Sequence, residues 1–306
     1  MEAGTSSDPE SIESVDSAHP SSLRGIEFIE YATARPLALG HVLELMGFRP
    51  VARHRSREVL LYRQGTMNVV INAHGVAPHP GAPLDDVRIS AVAFRARDAA
   101  AAYRRALDRG GWSVPTRVEA MELNIPAIHG VGASRIYFVD RYREFSIYTV
   151  DFVPIPCVDQ QPPAIAGMRW FGLVQQIGAG RTNDWTAFYR ELFGFLPIPD
   201  ELRFGVRPEG RILCSPCRTF YLQLIEHRHE HEHGVGPAPR VEERLSRLGL
   251  GTSDVVEAVH ALRARGVEFV DAAAAGPAER GALTRGLPDG VSFELVRDQR
   301  PLPSPS

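Results

Sequence analysis

The stretch Gly167 to Ile198, GMRWFGLVQQIGAGRTNDWTAFYRELFGFLPI, decides the fold. Met168 to Ile177 is an apolar run with the length of a buried strand, and a glycine-rich turn follows it. Trp185, Phe188, Tyr189 and Leu192 then recur at i, i+3, i+4 and i+7, the spacing of one apolar helix face. The closing words, ELFGFLPI from Glu191, have a twin in ELMGFRPV from Glu44, 147 residues earlier (191 less 44). A strand–helix–Gly–Phe module that returns after nearly half the chain makes the two halves copies of one unit.

The same plan extends outward from that module. In the first half, strands are expected at Gly25 to Ala32, around Val51, at Val59 to Tyr62, Met67 to Asn72, Arg88 to Phe94, Ile136 to Val139 and Phe145 to Phe152. Helices are expected at Leu37 to Met46 and Asp98 to Arg109, and Gly65 places a hairpin turn in RQGTMN. The second half repeats this, with strands near Leu202 to Val206, Arg211 to Cys214, Thr219 to Glu226, Leu245 to Thr252 and up to Val296, and a helix at Ser253 to Arg265. ALDRGG (Ala106 to Gly111) and ALRARG (Ala261 to Gly266) end equivalent helices with an Arg ahead of a Gly stop. The expected class is α+β, with two tandem halves, each a pair of βαβββ units forming one cupped sheet. Residues 1–23, rich in Ser, Glu and Pro, read as a disordered leader. The halves fall at 24–152 and 168–298, joined by a proline-rich linker at 153–167, and 299–306 read as a tail.

Composition bounds the function. The 306 residues are 44% hydrophobic and 23% charged, ordinary for a globular protein, with a net charge of −3 that gives no pull on nucleic acid or an anionic membrane. All 34 basic side chains are Arg. No apolar run approaches the roughly 18 residues of a spanning helix, and no basic-then-apolar signal opens the chain. Three Cys do not make a disulfide framework, so the cytoplasm is the expected compartment.

Several words carry a resemblance. GIEFIEYA (Gly25 to Ala32), HRSREVLLYRQGTMNVVINA (His54 to Ala73), ELNIPAIHGVG (Glu122 to Gly132), IYFVDRY (Ile136 to Tyr142) and GRTNDWTAFYRELFGF (Gly180 to Phe195) resemble the 4-hydroxyphenylpyruvate dioxygenase family of the vicinal oxygen chelate superfamily. The chain is similar, too, to the trailing domain of some bacterial 3-dehydroshikimate dehydratases. The resemblance implies a ferrous ion in the second half, held by two His and one Glu with positions left open for a 2-oxo acid and dioxygen. At the matching positions this chain has Gly172 and Arg247 in place of the two His, and Glu294 in GVSFELVRD as the Glu. Glycine cannot ligate, and a protonated guanidinium has no lone pair to give. The site is therefore expected to be degenerate, with no cofactor and only Glu294 left as a metal-ligand remnant; ferrous iron is the alternative.

Arg247 and Glu294 inherit positions that converge on one ion in the family, so they are expected to pair there as the catalytic or ligand-holding groups. Gln176, Tyr221, Gln223 and Arg285 are placed with them as substrate-binding residues. The expected ligand is a small aromatic or cyclic carboxylate, handled by proton-transfer chemistry of a lyase or isomerase type if the chain is catalytic. A non-catalytic binding or partner protein and an iron-dependent dioxygenase are the alternatives. A homo-oligomer is expected.

Other signals are local. HRHEHEH (His227 to His233) alternates histidines that would share one strand face, and His227 with His229 is a possible metal pair against a reading as solvated loop. CSPC (Cys214 to Cys217) falls at a hairpin and reads as paired structural thiols. Arg53, His54, Arg55, Arg57 and Arg63, beside Glu27 and Glu30, form either an anion cleft or, the favoured reading, a solvated or interface-facing sheet edge.

Overall fold

The structure is a computed structural model that describes residues 23–73, 87–115, 123–142, 145–206, 209–227, 242–270, 280–287 and 290–298. The tail, His229 and all of the expected leader but Leu23 lie outside these residues, and Leu23 itself opens the first strand.

The first half runs β1 (Leu23–Ala32), α1 (Pro36–Leu45), β2 (Arg49–His54), β3 (Val59–Gln64), β4 (Met67–Asn72), β5 (Arg88–Ala96), α2 (Ala99–Asp108), β6 (Ala127–His129), β7 (Arg135–Val139), α3 (Ile147–Asp151) and β8 (Phe152–Pro154). These strands form one sheet in the order β6-β7-β5-β1-β4-β3-β2-β8. At its centre β1 and β5 run antiparallel, β4 lies parallel to β1, and β7 lies parallel to β5. The second half runs β9 (Arg169–Ile177), α4 (Thr182–Phe193), β10 (Leu196–Pro197), β11 (Arg211–Cys214), β12 (Tyr221–Glu226), β13 (Arg244–Thr252), α5 (Val255–Arg263), β14 (Gly281–Leu283) and β15 (Phe293–Arg297). Its sheet, β10-β11-β12-β9-β13-β15-β14, repeats the pattern: β9 and β13 antiparallel at the centre, β12 parallel to β9, β15 parallel to β13. In both halves the strand after the second helix shrinks to one bridge, Ser113 with Ile128 and Phe269 with Thr284.

Local chemistry sets the helix ends. Asp98 and Asp254 cap α2 and α5, each accepting from a backbone amide three residues on, Ala101 and Glu257, at 2.8 Å. The repeated Gly of the twin motifs stops α1 and α4 with positive φ, 95° at Gly47 and 79° at Gly194. The arginines of the two Arg-Gly motifs then reach across to the other half. Arg265 donates from Nε to the Leu45 carbonyl at 3.1 Å and from Nη2 to the Glu44 carbonyl at 2.6 Å, and Arg109 donates to the Glu191 carbonyl. Each half thus donates to carbonyls in the last turn of the other half's first helix. Arg265→Ala removes two charge-assisted bonds, and denaturant unfolding is expected to report a loss of about 1.5–3 kcal/mol.

One apolar core runs through both halves. Phe94 of β5 packs against Phe193, Phe195 and Phe220 with ring centroids 5.5, 6.3 and 5.3 Å away. Among the described residues no helix is long and apolar enough to cross a membrane.

Three expectations need correction. Residues 145–152, rich in β-branched and aromatic side chains, were expected as a strand. They contain instead the short helix α3, whose buried residues are Ile147 and Asp151 at i, i+4, with only Phe152 left to begin β8. Leu202 to Val206 is no strand: a 3-10 turn over Asp200–Leu202 and Gly205 with φ +87° bend the chain, and Leu196–Pro197 pairs with β11 in its place. The expected linker starts inside β8 and then lies along the first sheet, where Gln160 donates to the Val51 carbonyl and Gly65 donates to the Pro162 carbonyl.

Candidate functional site

Strand register assembles the second-half site. Gly172 lies opposite Tyr221 of β12 on one side and Gly249 of β13 on the other, and Gly249 lies opposite Glu294 of β15. One step along, Val174 sits between Gln223 and Arg247, at a register shift in β13 between Leu245 and Arg247. This geometry brings Arg247 Nε to 3.2 Å from Glu294 Oε2. Both residues are buried, 8% and 4% exposed. Glu294 Oε1 accepts from the Val206 amide at 2.6 Å, which draws the 203–206 segment over the sheet. A side chain at Gly205 would have its Cβ 2.6 Å from that same oxygen, so glycine is what lets the backbone approach. Phe204 is thereby set against Phe171 and Tyr221, ring centroids 4.7 and 4.5 Å away. About 30 Å³ of cavity remains between these groups, enough for about one or two waters.

These residues do not fit a ferrous ion. Position 172 supplies no donor, and a Cβ built there would lie 2.5 Å from the Tyr221 carbonyl oxygen. The second position carries a guanidinium within ion-pairing distance of the one carboxylate. Among the described residues, no group of three or more His, Cys, Asp or Glu is placed to hold a metal. Gly172→His is therefore expected to destabilise the chain by about 1–3 kcal/mol through overpacking, measured by thermal or denaturant melts, without creating iron affinity.

The other expected site residues scatter. Tyr221 and Gln223 line the small cavity, and Gln223 Nε2 donates to the Glu209 carbonyl at 2.8 Å. Gln176 lies off its walls, accepting from Arg244 Nε at 3.3 Å. Arg285 is exposed beyond β14, its amide donating to the Glu268 carbonyl at 2.8 Å, and it does not line the small cavity. His227 continues β12, its backbone amide donating a hydrogen bond to the Ile177 carbonyl at 3.0 Å. Cys214 and Cys217, at the β11–β12 turn, form no disulfide with each other, and Cys217 Sγ lies 3.0 Å from Thr219 Oγ1.

The larger spaces are in the first half. α3 lies over the open face of the first sheet, and cavities of about 440 and 550 Å³ flank its Tyr148 and the adjoining Phe152 of β8. In the first, Glu30 Oε1 accepts from Ser90 Oγ at 2.7 Å and Asn72 Nδ2 at 3.3 Å, and Arg135 Nη1 donates to the Tyr137 hydroxyl at 3.3 Å. Burial first, then the Glu30 charge, pushes Tyr137 above the usual phenol range, while Arg135 and Arg57 oppose the shift. In the second, Glu27 pairs with Arg95, and Arg63 donates to Asn68 at 2.8 Å and to the Gln160 carbonyl at 2.9 Å. The sequence favours a solvated or interface-facing sheet edge for Arg57 and Arg63 beside Glu27 and Glu30, whereas both glutamates are buried. The overlooked signal was acidic and amide residues, Glu27, Glu30, Asn68 and Asn72, inside strands otherwise apolar enough to be central.

Comparison with known proteins agrees with this architecture. Residues 18–153 match the family model for hydroxyphenylpyruvate dioxygenase, HPPD, N-terminal. A 4-hydroxyphenylpyruvate dioxygenase from Pseudomonas sp. (strain P.J. 874) is 39% identical over 205 residues, 66% of this chain and 56% of that protein. Thus the chain spans little more than half the length of that relative. The hemolysin VllY of Vibrio vulnificus is 32% identical over 278 residues, covering 84% of this chain and 74% of that one. Among solved structures, a xylose isomerase-like TIM barrel/4-hydroxyphenylpyruvate dioxygenase fusion protein superposes with a TM-score of 0.70 at 24% identity, over 91% of this chain and 50% of the other.

Proposed function

The chain belongs to the 4-hydroxyphenylpyruvate dioxygenase-like family, and from that premise we propose that it is a metal-independent member that binds a small aromatic or cyclic carboxylate. The observation that carries this reading is the Arg247–Glu294 pair, 3.2 Å apart, at two of the three positions where the family resemblance implies metal ligands. A permanent cation beside the carboxylate does electrostatically what a metal would do, so the buried charge is balanced without an ion. Phe204 and the roughly 30 Å³ left around it argue against a ring-sized substrate beside this pair. Proton-transfer chemistry at this pair is accordingly not part of the proposal. The ligand class is supported by the relatives named for 4-hydroxyphenylpyruvate, a one-ring carboxylate. Those same names favour the second reading, an iron-dependent dioxygenase.

Oxygen uptake separates the two. With ferrous iron, ascorbate and 4-hydroxyphenylpyruvate, the proposal predicts no consumption above a protein-free control, together with a rise in melting temperature on adding the acid through ligand linkage. Stoichiometric oxygen uptake sustained over many turnovers would establish the dioxygenase reading instead.

A further inference from the structure

The opening strands of the two halves, β1 and β9, bound a cleft together with the β3–β4 turn of the first half and the β11–β12 turn of the second. We propose that this cleft binds a phosphate monoester with a small apolar body. The inference goes beyond the function proposed above, since the ligand, the place and the residues are all different.

The cleft holds about 340 Å³, at the lower end of the roughly 300–1,000 Å³ of small-molecule pockets. Both halves build it. Arg24, Ile26 and Arg95 come from the first sheet, Arg169 and Trp170 from β9, and Phe220 from the second half's turn with Arg218. Ile26, Trp170 and Phe220 are buried and supply its apolar surface.

Charge selects the ligand. Four guanidinium groups line the cleft, and among the described residues no carboxylate does. Arg95 and Arg169 are oriented from behind, by Nε bonds to Glu27 and, at 2.8 Å, to Asp298, neither of which lines the space. Arg24 has no acidic partner among the described residues. Arg218 stands at φ +56°, a conformation that suits glycine, so the turn carries a charged side chain there at a backbone cost.

Trp170 adds an independent observation. Its indole N–H can only donate, and Nε1 is buried with no hydrogen-bond partner. A buried donor without an acceptor is costly, and a phosphate oxygen in the cleft would remove that cost. A phosphate monoester fits this set better than a carboxylate does. It carries a charge of about −1.5 to −2 at pH 7 and three acceptor oxygens, where a carboxylate has one charge and two oxygens. Guanidinium forks match its geometry, and partial burial strengthens each contact.

Calorimetry on the full chain at low ionic strength tests the assignment with phenyl phosphate and benzenesulfonate, which share a ring and differ in charge. Phenyl phosphate is expected to bind once per chain, about tenfold or more tighter than benzenesulfonate. Arg24→Gln combined with Arg218→Gly is expected to weaken phenyl phosphate by about tenfold or more, whereas Arg104→Gln, at an exposed arginine of α2, leaves it unchanged. Arg24 and Arg218 are exposed, so the double variant is expected to fold, and its melting temperature without ligand checks this. On saturation the indole N–H resonance of Trp170 should move, while that of Trp185, already bonded to Glu243 at 3.2 Å, should not. Equal affinity for the two probes, full affinity in the folded double variant, an unmoved Trp170 resonance or no saturable binding of phenyl phosphate would each overturn this inference. None of these outcomes touches the function proposed above.

Discussion

Arg247→Met is expected to lower the unfolding free energy by about 3–5 kcal/mol, because it leaves Glu294 as an uncompensated charge in the sheet interior. Glu294 is 4% exposed and has already committed Oε1 to the Val206 amide, so it cannot turn outward without releasing the 203–206 segment. Arg247→Met combined with Glu294→Gln should recover a large part of the loss, since glutamine still accepts from Val206 and no lone charge remains. The coupling between the two sites, read from a double-mutant cycle in denaturant, is expected at about 0.5–3 kcal/mol. Strict additivity would mean that the pair is adjacent without interacting. The result bears on function as much as stability: a coupled pair is a self-contained replacement for an ion.

Phe94→Ala is expected to cost about 3–5 kcal/mol and to weaken the coupling of the halves. Phe94 is 2% exposed and comes from the first sheet, while Phe193, Phe195 and Phe220, which surround it, all come from the second half. Truncation opens a cavity between the halves that neither can close by repacking alone. Tryptophan fluorescence can follow the halves separately if Trp112 is compared with Trp170 and Trp185 in single-tryptophan variants. Coincident transitions in the parent and separated ones in the variant are the expected outcome.

The strength of the sequence signal varied along the chain for physical reasons. The twin ELMGF and ELFGF motifs combine an amphipathic helix with a glycine stop, and both pieces of physics are local, so they placed α1 within one residue at each end and identified the apolar face of α4. What Arg109 and Arg265 do is not local. In the sequence they are arginines ahead of a glycine stop, while in the fold their donors reach Glu191 in one case and Glu44 and Leu45 in the other. Propensity misplaced α3, where Ile147, Thr149 and Val150 favour strand but tertiary burial of Ile147 and Asp151 selects a helical turn.

The site divides in the same way. Gly172, Arg247 and Glu294 could be placed by motif, and they fall on three adjacent strands, β9, β13 and β15. The plug could not: Phe204 reaches Tyr221 only because Gly205 and Val206 are held at Glu294. The first-half cavity was hidden for a related reason. Glu30 and Asp151 are 121 residues apart in sequence (151 less 30), and only the turn of α3 over the sheet makes them walls of one space.

On the function proposed, Arg247 and Glu294 form a closed unit that leaves no iron site. Anaerobic titration of the metal-free chain with ferrous ion, followed by calorimetry, is the decisive measurement. No saturable uptake at micromolar iron is predicted for the parent chain. One tightly bound equivalent, lost in Glu294→Ala, would contradict it.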